Sequence, residues 1–241
     1  MKVVAVMTRT PRPAGASAIT IDDPPRATSG VGGPKTRLAS VLPDPRQREE
    51  LQRAFLADVL AAAHAVAGAV VRVAIAPGGS PDGLADMGVQ PGHVLQQRGD
   101  TLGERERGVF AELFRRGAKH VVLVGSDIPL LTPAILEAAF EALARDPAHV
   151  VLGPAADGGY YLLGLAAPTV PDLFTGVRWS TRYALMDTLR RCEFEERRVT
   201  LLPILEDVDE PGDLARLREA LAVEPSRAPR TAAFLSARND C

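Results

Sequence analysis

The sequence predicts an α/β fold with a largely parallel sheet. Its short apolar runs lack the alternation typical of a half-exposed strand, and segments with helical periodicity separate these runs. Five runs are interpreted as buried strands, at residues 3–7, 70–76, 121–124, 150–152 and 160–165. Strands that alternate with helices are typical of parallel sheets, in which ligands bind beyond the carboxyl ends of the strands.

Three segments between the strands have the spacing of amphipathic helices. In residues 46–67 and 102–116, apolar side chains recur every three or four positions, which places them on one face of a helix. Residues 133–145 share this spacing and follow Thr132, a good N-cap, with proline at the first helical position. A further helix is expected to begin at Pro211.

Charge and composition exclude several classes of protein. The 241 residues include 28 lysines and arginines against 30 aspartates and glutamates, which argues against a nucleic-acid partner. Two cysteines, Cys192 and Cys241, do not make a disulfide framework and favour a reducing compartment. No apolar stretch approaches the ~18–20 residues of a membrane span, so we expect a soluble, cytoplasmic protein.

Two segments stand outside the strand and helix pattern. Residues 10–33 are rich in proline, glycine, serine, threonine and alanine, and loops this long are usually functional or mobile. The end of the chain, residues 224–241, has prolines and scattered arginines, and a flexible tail is expected there. We therefore expect one domain over residues 1–223, with a loop insertion at about residues 16–33.

Carboxylates follow a predicted strand and precede a predicted helix. Asp127 comes after Gly125 and Ser126 at the end of a buried strand, where it could hold Mg²⁺ or Mn²⁺. Asp209 could meet it at the same metal, because two carboxylates plus ligand phosphates commonly bind Mg²⁺. The alternatives are a turn shaped by Asp127 and helix capping by the acidic residues before Pro211, the better interpretation for Asp213.

Two further clusters suit phosphate or acceptor chemistry. Lys35 and Arg37 could neutralise a diphosphate, although they could equally lie on a solvated surface loop. In Asp157-Gly158-Gly159, the glycines permit a close approach to a ligand and Asp157 could act as a base or polar anchor. Asp-Gly and Gly-Gly are also common hairpin turns.

Two polar segments have similar alternatives. The loop from Gly99 to Arg105 could hold a nucleoside or could simply cap a helix. Trp179-Ser180-Thr181 has the pattern of a helix N-cap. Trp179, the sole tryptophan, could stack on a ligand, although a lone tryptophan beside a cap is more often part of the core.

The order of these motifs is more specific than any one of them. Along the chain run Thr-Arg-Thr-Pro-Arg-Pro, Lys-Thr-Arg-Leu, Gly-Asp-Thr-Leu-Gly-Glu-Arg, Gly-Ser-Asp-Ile-Pro, Asp-Gly-Gly-Tyr-Tyr, Trp-Ser-Thr and Asp-Val-Asp-Glu-Pro-Gly-Asp-Leu. From residue 1 to about residue 223, the chain resembles the glycosyltransferase-A-like family of bacterial transferases associated with radical-SAM and selenodomain proteins. That family is part of the nucleotide-diphospho-sugar transferase superfamily and is distantly similar to molybdenum-cofactor guanylyltransferase and 2-phospholactate guanylyltransferase.

The resemblance implies a Rossmann-like three-layer α/β/α sandwich with a mostly parallel, glycosyltransferase-A-like sheet. It implies catalytic roles for Lys35, Arg37, Asp127 and Asp157, and an Mg²⁺ or Mn²⁺ site at Asp127 and Asp209. The nucleotide-binding residues that it implies are Arg9, Lys35, Arg37, Gly99, Leu102, Gly103, Glu104 and Ser126. Those that it implies for the acceptor are Gly158, Gly159, Tyr160, Trp179, Ser180 and Thr181.

The resemblance favours glycosyl transfer from a sugar nucleotide to a small-molecule acceptor. Nucleotidyl transfer with release of pyrophosphate is the alternative, and a nucleotide-binding module without catalysis is a third. The third arises because Arg9 replaces the family's first lysine and the insertion interrupts the motif that leads to Lys35. The sequence leaves the acceptor unidentified and homodimer formation open.

Overall fold

The computed structural model describes residues 1–9 and 35–238, so the insertion predicted at residues 16–33 lies outside the described residues. Seven strands form one sheet in the order β3-β2-β1-β4-β6-β5-β7. Among them, β6 is antiparallel to both of its neighbours, and the other pairs are parallel. The strands are β1 (Lys2–Thr8), β2 (Ala69–Ile75), β3 (Val94–Gln96), β4 (His120–Gly125), β5 (His149–Pro154), β6 (Tyr160–Ala166) and β7 (Arg198–Leu201).

Helices cover both faces of the sheet and make the predicted three layers. Helices α1 and α4 pack on one face, through residues such as Leu56 and Phe140. Helices α3 and α5 pack on the other, through residues such as Phe110 and Cys192. No helix of the described chain is long and apolar enough to cross a membrane. The helices are α1 (Pro45–His64), α2 (Asp82–Ala85), α3 (Leu102–Arg115), α4 (Pro133–Arg145), α5 (Ala184–Phe194), α6 (Pro211–Val223) and α7 (Pro229–Ser236).

The predicted elements are confirmed with small changes at their ends. All five predicted strands are present, because a run of apolar residues buried on both faces is a strong strand signal. Thr132 caps α4 as expected, and its Oγ1 accepts a hydrogen bond from the Ile135 amide at 3.4 Å. The strands that the pattern missed, β3 and β7, have three and four residues and lie at the two edges of the sheet.

The C-terminal segment corrects the prediction of a flexible tail. A 3₁₀ turn at Pro225–Arg227 leads into α7, and Phe234 and Leu235 of α7 are buried in a cluster with residues of α1 and α6. Asp58, buried within α1, accepts hydrogen bonds from the amides of Arg230 and Thr231 at 3.0 and 2.9 Å. This cap comes from another helix, so the local sequence contains no sign of it.

Replacing Asp58 by alanine should loosen α7. The substitution leaves two amides of the first turn of α7 without their acceptor, at a cost of ~1–3 kcal/mol in the free energy of unfolding. Native-state hydrogen exchange should show faster exchange of the α7 amides. The control is Asp44→Ala, which removes the exposed N-cap of α1. Equal exchange of α7 in both variants would contradict this role of Asp58.

The sheet topology creates a crevice at the carboxyl ends of the central strands. Strand β1 lies between β2 and β4, and the chain changes direction across the sheet at this point. Ligands of open α/β sheets bind at such switch points, beyond the carboxyl ends of the strands. Because β6 is antiparallel, its first residue, Tyr160, lies beside the carboxyl ends of β4 and β5.

Candidate active site

A cavity of about 460 Å³ opens at the carboxyl ends of the strands. Strand ends, the first turns of α3 and the loop before α5 contribute to its wall. The described residues of its wall include ten of those predicted for the site. These are Arg9, Leu102, Ser126, Asp127, Asp157, Gly159, Tyr160, Trp179, Ser180 and Thr181.

Lys35 joins two of the predicted carboxylates beside this cavity. Its Nζ lies 2.7 Å from Asp209 Oδ1 and 3.1 Å from Asp127 Oδ2, and it also donates a hydrogen bond to the Val208 carbonyl at 2.7 Å. The Lys35 side chain is 4% exposed, whereas those of Asp127 and Asp209 are 39% and 42% exposed. A buried ammonium group thus sits under two carboxylates that still face solvent.

The backbone of Lys35 is in the left-handed region, with φ 54° and ψ 40°. This conformation is uncommon for a residue with a side chain, and strained residues of this kind cluster at functional sites. The contacts of Lys35 hold it there, because the residue is buried and its ammonium lies 5.6 Å from the centre of the Phe55 ring. We infer that the fold positions this lysine rather than leaving it on a surface loop.

The electrostatics of the cluster favour the charged forms of Lys35 and Asp209. Burial lowers the pKa of Lys35, but the attraction of Asp127 and Asp209 outweighs burial and raises it above its usual value. Burial raises the pKa of Asp209, but Lys35 outweighs this, and the pKa lies below its usual value. Arg37 and Arg9 contribute smaller lowering effects. Arg37 is exposed, at the 3₁₀ turn Thr36–Ser40.

Helix capping places Asp209 in the cluster. Asp213 Oδ2 accepts hydrogen bonds from the amides of Asp209 and Glu210 at 3.0 and 2.7 Å, which confirms the capping interpretation for Asp213. The Val208 amide donates to the Asp127 carbonyl at 3.2 Å and ties the loop before α6 to the end of β4. These backbone contacts hold the loop that carries Asp209 beside the end of β4, where Asp127 lies.

The donor set suits a hard divalent cation. Mg²⁺ usually binds through one or two carboxylates together with substrate phosphates and water. Asp127 and Asp209 converge on one cation and keep exposed oxygens, so their chemistry fits Mg²⁺ or Mn²⁺. In the described ranges, 1–9 and 35–238, no group of three or more histidine, cysteine, aspartate or glutamate residues could hold a metal.

The Asp157 segment forms a hairpin turn and also lines the cavity. Asp157 Oδ1 accepts from the Gly159 amide at 2.8 Å within the β5–β6 connection. Gly158 has a φ of +91°, and a Cβ atom there would lie 2.3 Å from the Arg182 carbonyl oxygen. Asp207, which was not predicted, also lines the cavity, and burial followed by repulsion from Asp157 and Asp209 raises its pKa to about 6.

The start of α3 is a capped helix end that shapes the cavity. Thr101 and Glu104 form a capping box, and the Glu104 carboxylate accepts from the amides of Asp100 and Thr101 at 2.7 and 3.0 Å. These bonds lower the pKa of Glu104. Arg105 donates to the carbonyls of Gly99 and Asp100 at 2.9 and 3.2 Å. Gly99 and Glu104 are thus engaged in the loop, while Leu102 reaches the cavity wall.

Trp179 is a fixed part of the cavity wall. Its ring is stacked on Phe174 with centroids 6.5 Å apart, and it meets Tyr160 edge-on at 6.3 Å. Gly103 makes room for it, because a Cβ atom at Gly103 would lie 2.5 Å from Trp179 Cζ2. Trp179 packs against the core, as the second interpretation predicts, and it also borders the cavity, where its stacking on a ligand stays a prediction.

Alanine at Gly103 should displace Trp179 and destabilise the fold. The added methyl group collides with the indole ring, and overpacking of this kind costs ~1–3 kcal/mol. The matched control is Gly108→Ala in the same helix, where a Cβ atom lies 3.6 Å from the Arg98 carbonyl oxygen. It should raise stability by ~0.5–1 kcal/mol, because glycine is unfavourable within a helix. Tryptophan fluorescence and urea unfolding give both results, and equal effects of the two changes would contradict the packing described.

Sequence reasoning missed several buried polar residues of the wall, among them Gln52, Gln97 and Glu106. Gln52 of α1 has an Oε1 without a hydrogen-bond partner among residues 1–9 and 35–238, and Gln97 donates to the Ala74 carbonyl at 2.7 Å. Glu106 of α3 accepts a 2.6 Å hydrogen bond from the Tyr160 hydroxyl. A signal did exist for Glu106, which lies at helical spacing from Leu102 and Val109 on the apolar face of α3.

Comparisons with known proteins agree with this fold. A family model described as an uncharacterized protein conserved in bacteria (DUF2064) matches residues 59–181. No curated protein matches the sequence. A solved structure of a proposed nucleotide-diphospho-sugar transferase from Desulfovibrio desulfuricans G20 has a TM-score of 0.82 and 27% identity, covering 99% of this chain and 95% of that chain.

Two more distant structures share the fold alone. A cytidylyltransferase from Leptospira borgpetersenii has a TM-score of 0.55 and 12% identity, covering 99% of this chain and 94% of its own. A CMP:2-keto-3-deoxy-manno-octonic acid synthetase complexed with CTP has a TM-score of 0.52 and 16% identity, covering 92% and 99%. The predicted fold class is confirmed as that of the nucleotide-diphospho-sugar transferases.

Proposed function

Because the chain belongs to a family of bacterial proteins (DUF2064) and adopts the nucleotide-diphospho-sugar transferase fold, we propose that it is an enzyme that transfers a group from a nucleotide. The observation that carries the proposal is the contact of Lys35 with both Asp127 and Asp209 at the switch point of the sheet. A buried cation beside two half-exposed carboxylates suits a ligand that brings phosphates and a divalent cation together.

Each charged group of the cluster has a separate role. Arg9 and Arg37 bind the phosphates, since guanidinium groups form strong charge-assisted hydrogen bonds to phosphate oxygens. Lys35 attracts the phosphates by its charge, because Asp127, Asp209 and the Val208 carbonyl already engage its three N–H groups. Asp127 and Asp209 would hold Mg²⁺ or Mn²⁺. When bound, the ion supplies positive charge that offsets the charge developing on the departing phosphate. Ser126 and the loop from Gly99 to Glu104 border the nucleotide.

The remaining wall of the cavity would take the acceptor. Asp157 and the two glycines after it allow a close approach, while Tyr160 and Trp179 exclude water from one side. Ser180 and Thr181 line the same wall. Asp157 anchors the acceptor or removes its proton. Lys35 contacts the other two predicted carboxylates, Asp127 and Asp209, so Asp157 is the one that remains for the acceptor.

Glycosyl transfer is the reaction we place first. The structure with 27% identity and nearly complete coverage is a proposed nucleotide-diphospho-sugar transferase, which supports this choice. An acceptor oxygen forms a bond to the anomeric carbon of the sugar, and the bond between that carbon and the β-phosphate oxygen breaks. The acceptor proton passes to a base, and a nucleoside diphosphate leaves.

Nucleotidyl transfer is the second candidate, and Lys35 is the observation that favours it. An acceptor phosphate would then form a bond to the α-phosphorus of a nucleoside triphosphate, and pyrophosphate would leave. A fixed ammonium group beside metal-binding carboxylates suits the negative charge that gathers around that phosphorus.

Product analysis separates these reactions. The protein is incubated with Mg²⁺ or Mn²⁺, candidate acceptors, and a panel of sugar nucleotides and nucleoside triphosphates, and products are followed by ³¹P NMR. Release of a nucleoside diphosphate from a sugar nucleotide supports glycosyl transfer, and release of pyrophosphate supports nucleotidyl transfer. Metal-dependent binding without turnover would favour the non-catalytic module. Failure to bind any nucleotide would refute the proposal.

A further inference from the structure

Glu106 is a buried carboxyl group that the proposed reaction leaves without a role. It lies on α3, is 6% exposed and borders the cavity. The one hydrogen bond found for its carboxylate in the described chain comes from the Tyr160 hydroxyl, at 2.6 Å. No arginine, lysine or histidine of the described residues forms a salt bridge with it, and the neighbouring Arg105 donates to the carbonyls of Gly99 and Asp100 instead.

Other buried carboxylates of the chain are better satisfied. Asp58 accepts two backbone amides, and Asp187 accepts two hydrogen bonds from the Arg178 guanidinium and one from its amide. Burial of Glu106 raises its pKa to about 7, and the hydrogen bond from Tyr160 opposes this rise only in part. A buried carboxylate with a single donor is costly, so a purely structural role explains Glu106 poorly.

The hydrogen-bond geometry limits what could bind there. Tyr160 uses its hydroxyl hydrogen on Glu106, and burial together with Glu106 raises the pKa of Tyr160 well above its usual value, so this hydroxyl stays protonated. The ionised pair therefore offers oxygen lone pairs and no further hydrogen to the cavity. A ligand group at this place must donate a hydrogen bond, and a phosphate or carboxylate would be repelled.

We propose that Glu106, held by Tyr160, binds a hydroxyl or ammonium group of the second substrate and that this part of the cavity rejects anionic groups. The inference rests on the proposed function only in identifying the bound molecule as the acceptor. Glu106 is a specificity-determining residue: it selects an acceptor whose nearby group is neutral or cationic.

A matched set of two-carbon probes tests the proposal at pH 8, where Glu106 is ionised. Ethanolamine, ethylene glycol and glycolate each have a hydroxyl group and differ in carrying an ammonium, a second hydroxyl or a carboxylate. Trp179 is the sole tryptophan and borders the cavity, so its indole N–H resonance reports binding at this place. Ethanolamine or ethylene glycol should shift this resonance, and glycolate should bind at least tenfold more weakly than the better of the two.

Two variants make the test specific. Glu106→Gln keeps the shape of the side chain and should weaken ethanolamine binding about tenfold or more, with a smaller effect on ethylene glycol. Glu106→Met should abolish the response to both probes. The control, Glu112→Gln, removes a carboxylate of the same helix that pairs with Arg115 and Arg116, and it should change nothing.

The results assign the ligand class or overturn the proposal. Tighter binding of ethanolamine indicates an amine, and equal binding of both neutral and cationic probes indicates a hydroxyl group. Glycolate binding as tightly as the others, or an unchanged response in Glu106→Gln, would overturn it, as would no response to any probe. These titrations need no nucleotide, so nucleotide turnover without a probe response would refute this subsite alone.

Discussion

Replacing Lys35 by methionine should lower kcat/KM for the nucleotide reaction by about 10³-fold, in the range found when a fixed electrostatic group is removed from an active site. The change removes the ammonium that contacts Asp127 and Asp209 while keeping an unbranched side chain of similar length. Phosphate then loses its buried cation, and the two carboxylates repel it. Steady-state kinetics on the substrate identified by product analysis measures the effect.

A second measurement separates this effect from misfolding. The carboxylates are about 40% exposed, so solvent screens them and the loss in the free energy of unfolding should be no more than ~1–2 kcal/mol. Mn²⁺ alone should bind at least as tightly to the variant, because Asp127 and Asp209 no longer share their charge with Lys35. The control is Lys119→Met, at an exposed lysine. Turnover within threefold of the unmodified protein would refute the role of Lys35.

Replacing Glu106 by glutamine should stabilise the protein at pH 8 and leave its stability unchanged at pH 4. The pKa of Glu106 rises from 4.5 to about 7 on folding because burial disfavours the ionised carboxylate. Its contribution to stability is therefore greatest below pH 4.5, falls as the pH rises toward 7, and is constant above that value. The difference between the two pKa values corresponds to roughly 3 kcal/mol at pH 8, as an upper estimate.

Urea unfolding of both proteins at pH 4 and pH 8 measures this dependence. Glu112→Gln is the control with the opposite sign, since hydrogen bonds from Arg116 and Arg115 lower the pKa of Glu112 and the ionised form is favoured on folding. That variant should be equal to or slightly less stable than the unmodified protein at pH 8. A Glu106→Gln variant that loses stability at pH 8 would show that the ionised carboxylate is satisfied within the fold.

Much of the fold could be predicted because its main strands are buried on both faces. The apolar runs of β1 and β4 have no competing interpretation, and their alternation with helices indicates a parallel sheet. The antiparallel direction of β6 was implicit in the Asp-Gly-Gly turn before it, which was predicted as a hairpin alternative. The short edge strands β3 and β7 were not predicted, because three or four residues are too few to show a recognisable hydrophobic pattern.

The site could be predicted in part, because ligand residues follow the ends of strands. Asp127 and Asp157 were found from this rule, and the structure places both on the cavity wall. The contact of Lys35 with Asp209 joins residues 174 positions apart, and it depends on the capping of α6 and on an unusual backbone conformation. Local sequence carries no information about such a contact. Glu106 was not predicted as a site residue, although its position on the apolar face of α3 was visible in the sequence.

The most direct test of the proposed site is binding of Mn²⁺ together with a nucleotide, followed by electron paramagnetic resonance as loss of the signal of free Mn²⁺. CTP, GTP and a sugar nucleotide such as UDP-glucose are tested in turn with the unmodified protein and with Asp127→Asn and Asp209→Asn. Asp172→Asn is the control, because Asp172 pairs with Arg191 away from the cavity wall. At least one nucleotide should increase Mn²⁺ binding in the unmodified protein and the control, and the Asp127→Asn and Asp209→Asn variants should lose this increase. Unchanged binding of Mn²⁺ and nucleotide in Asp127→Asn and Asp209→Asn would contradict the assignment of the site.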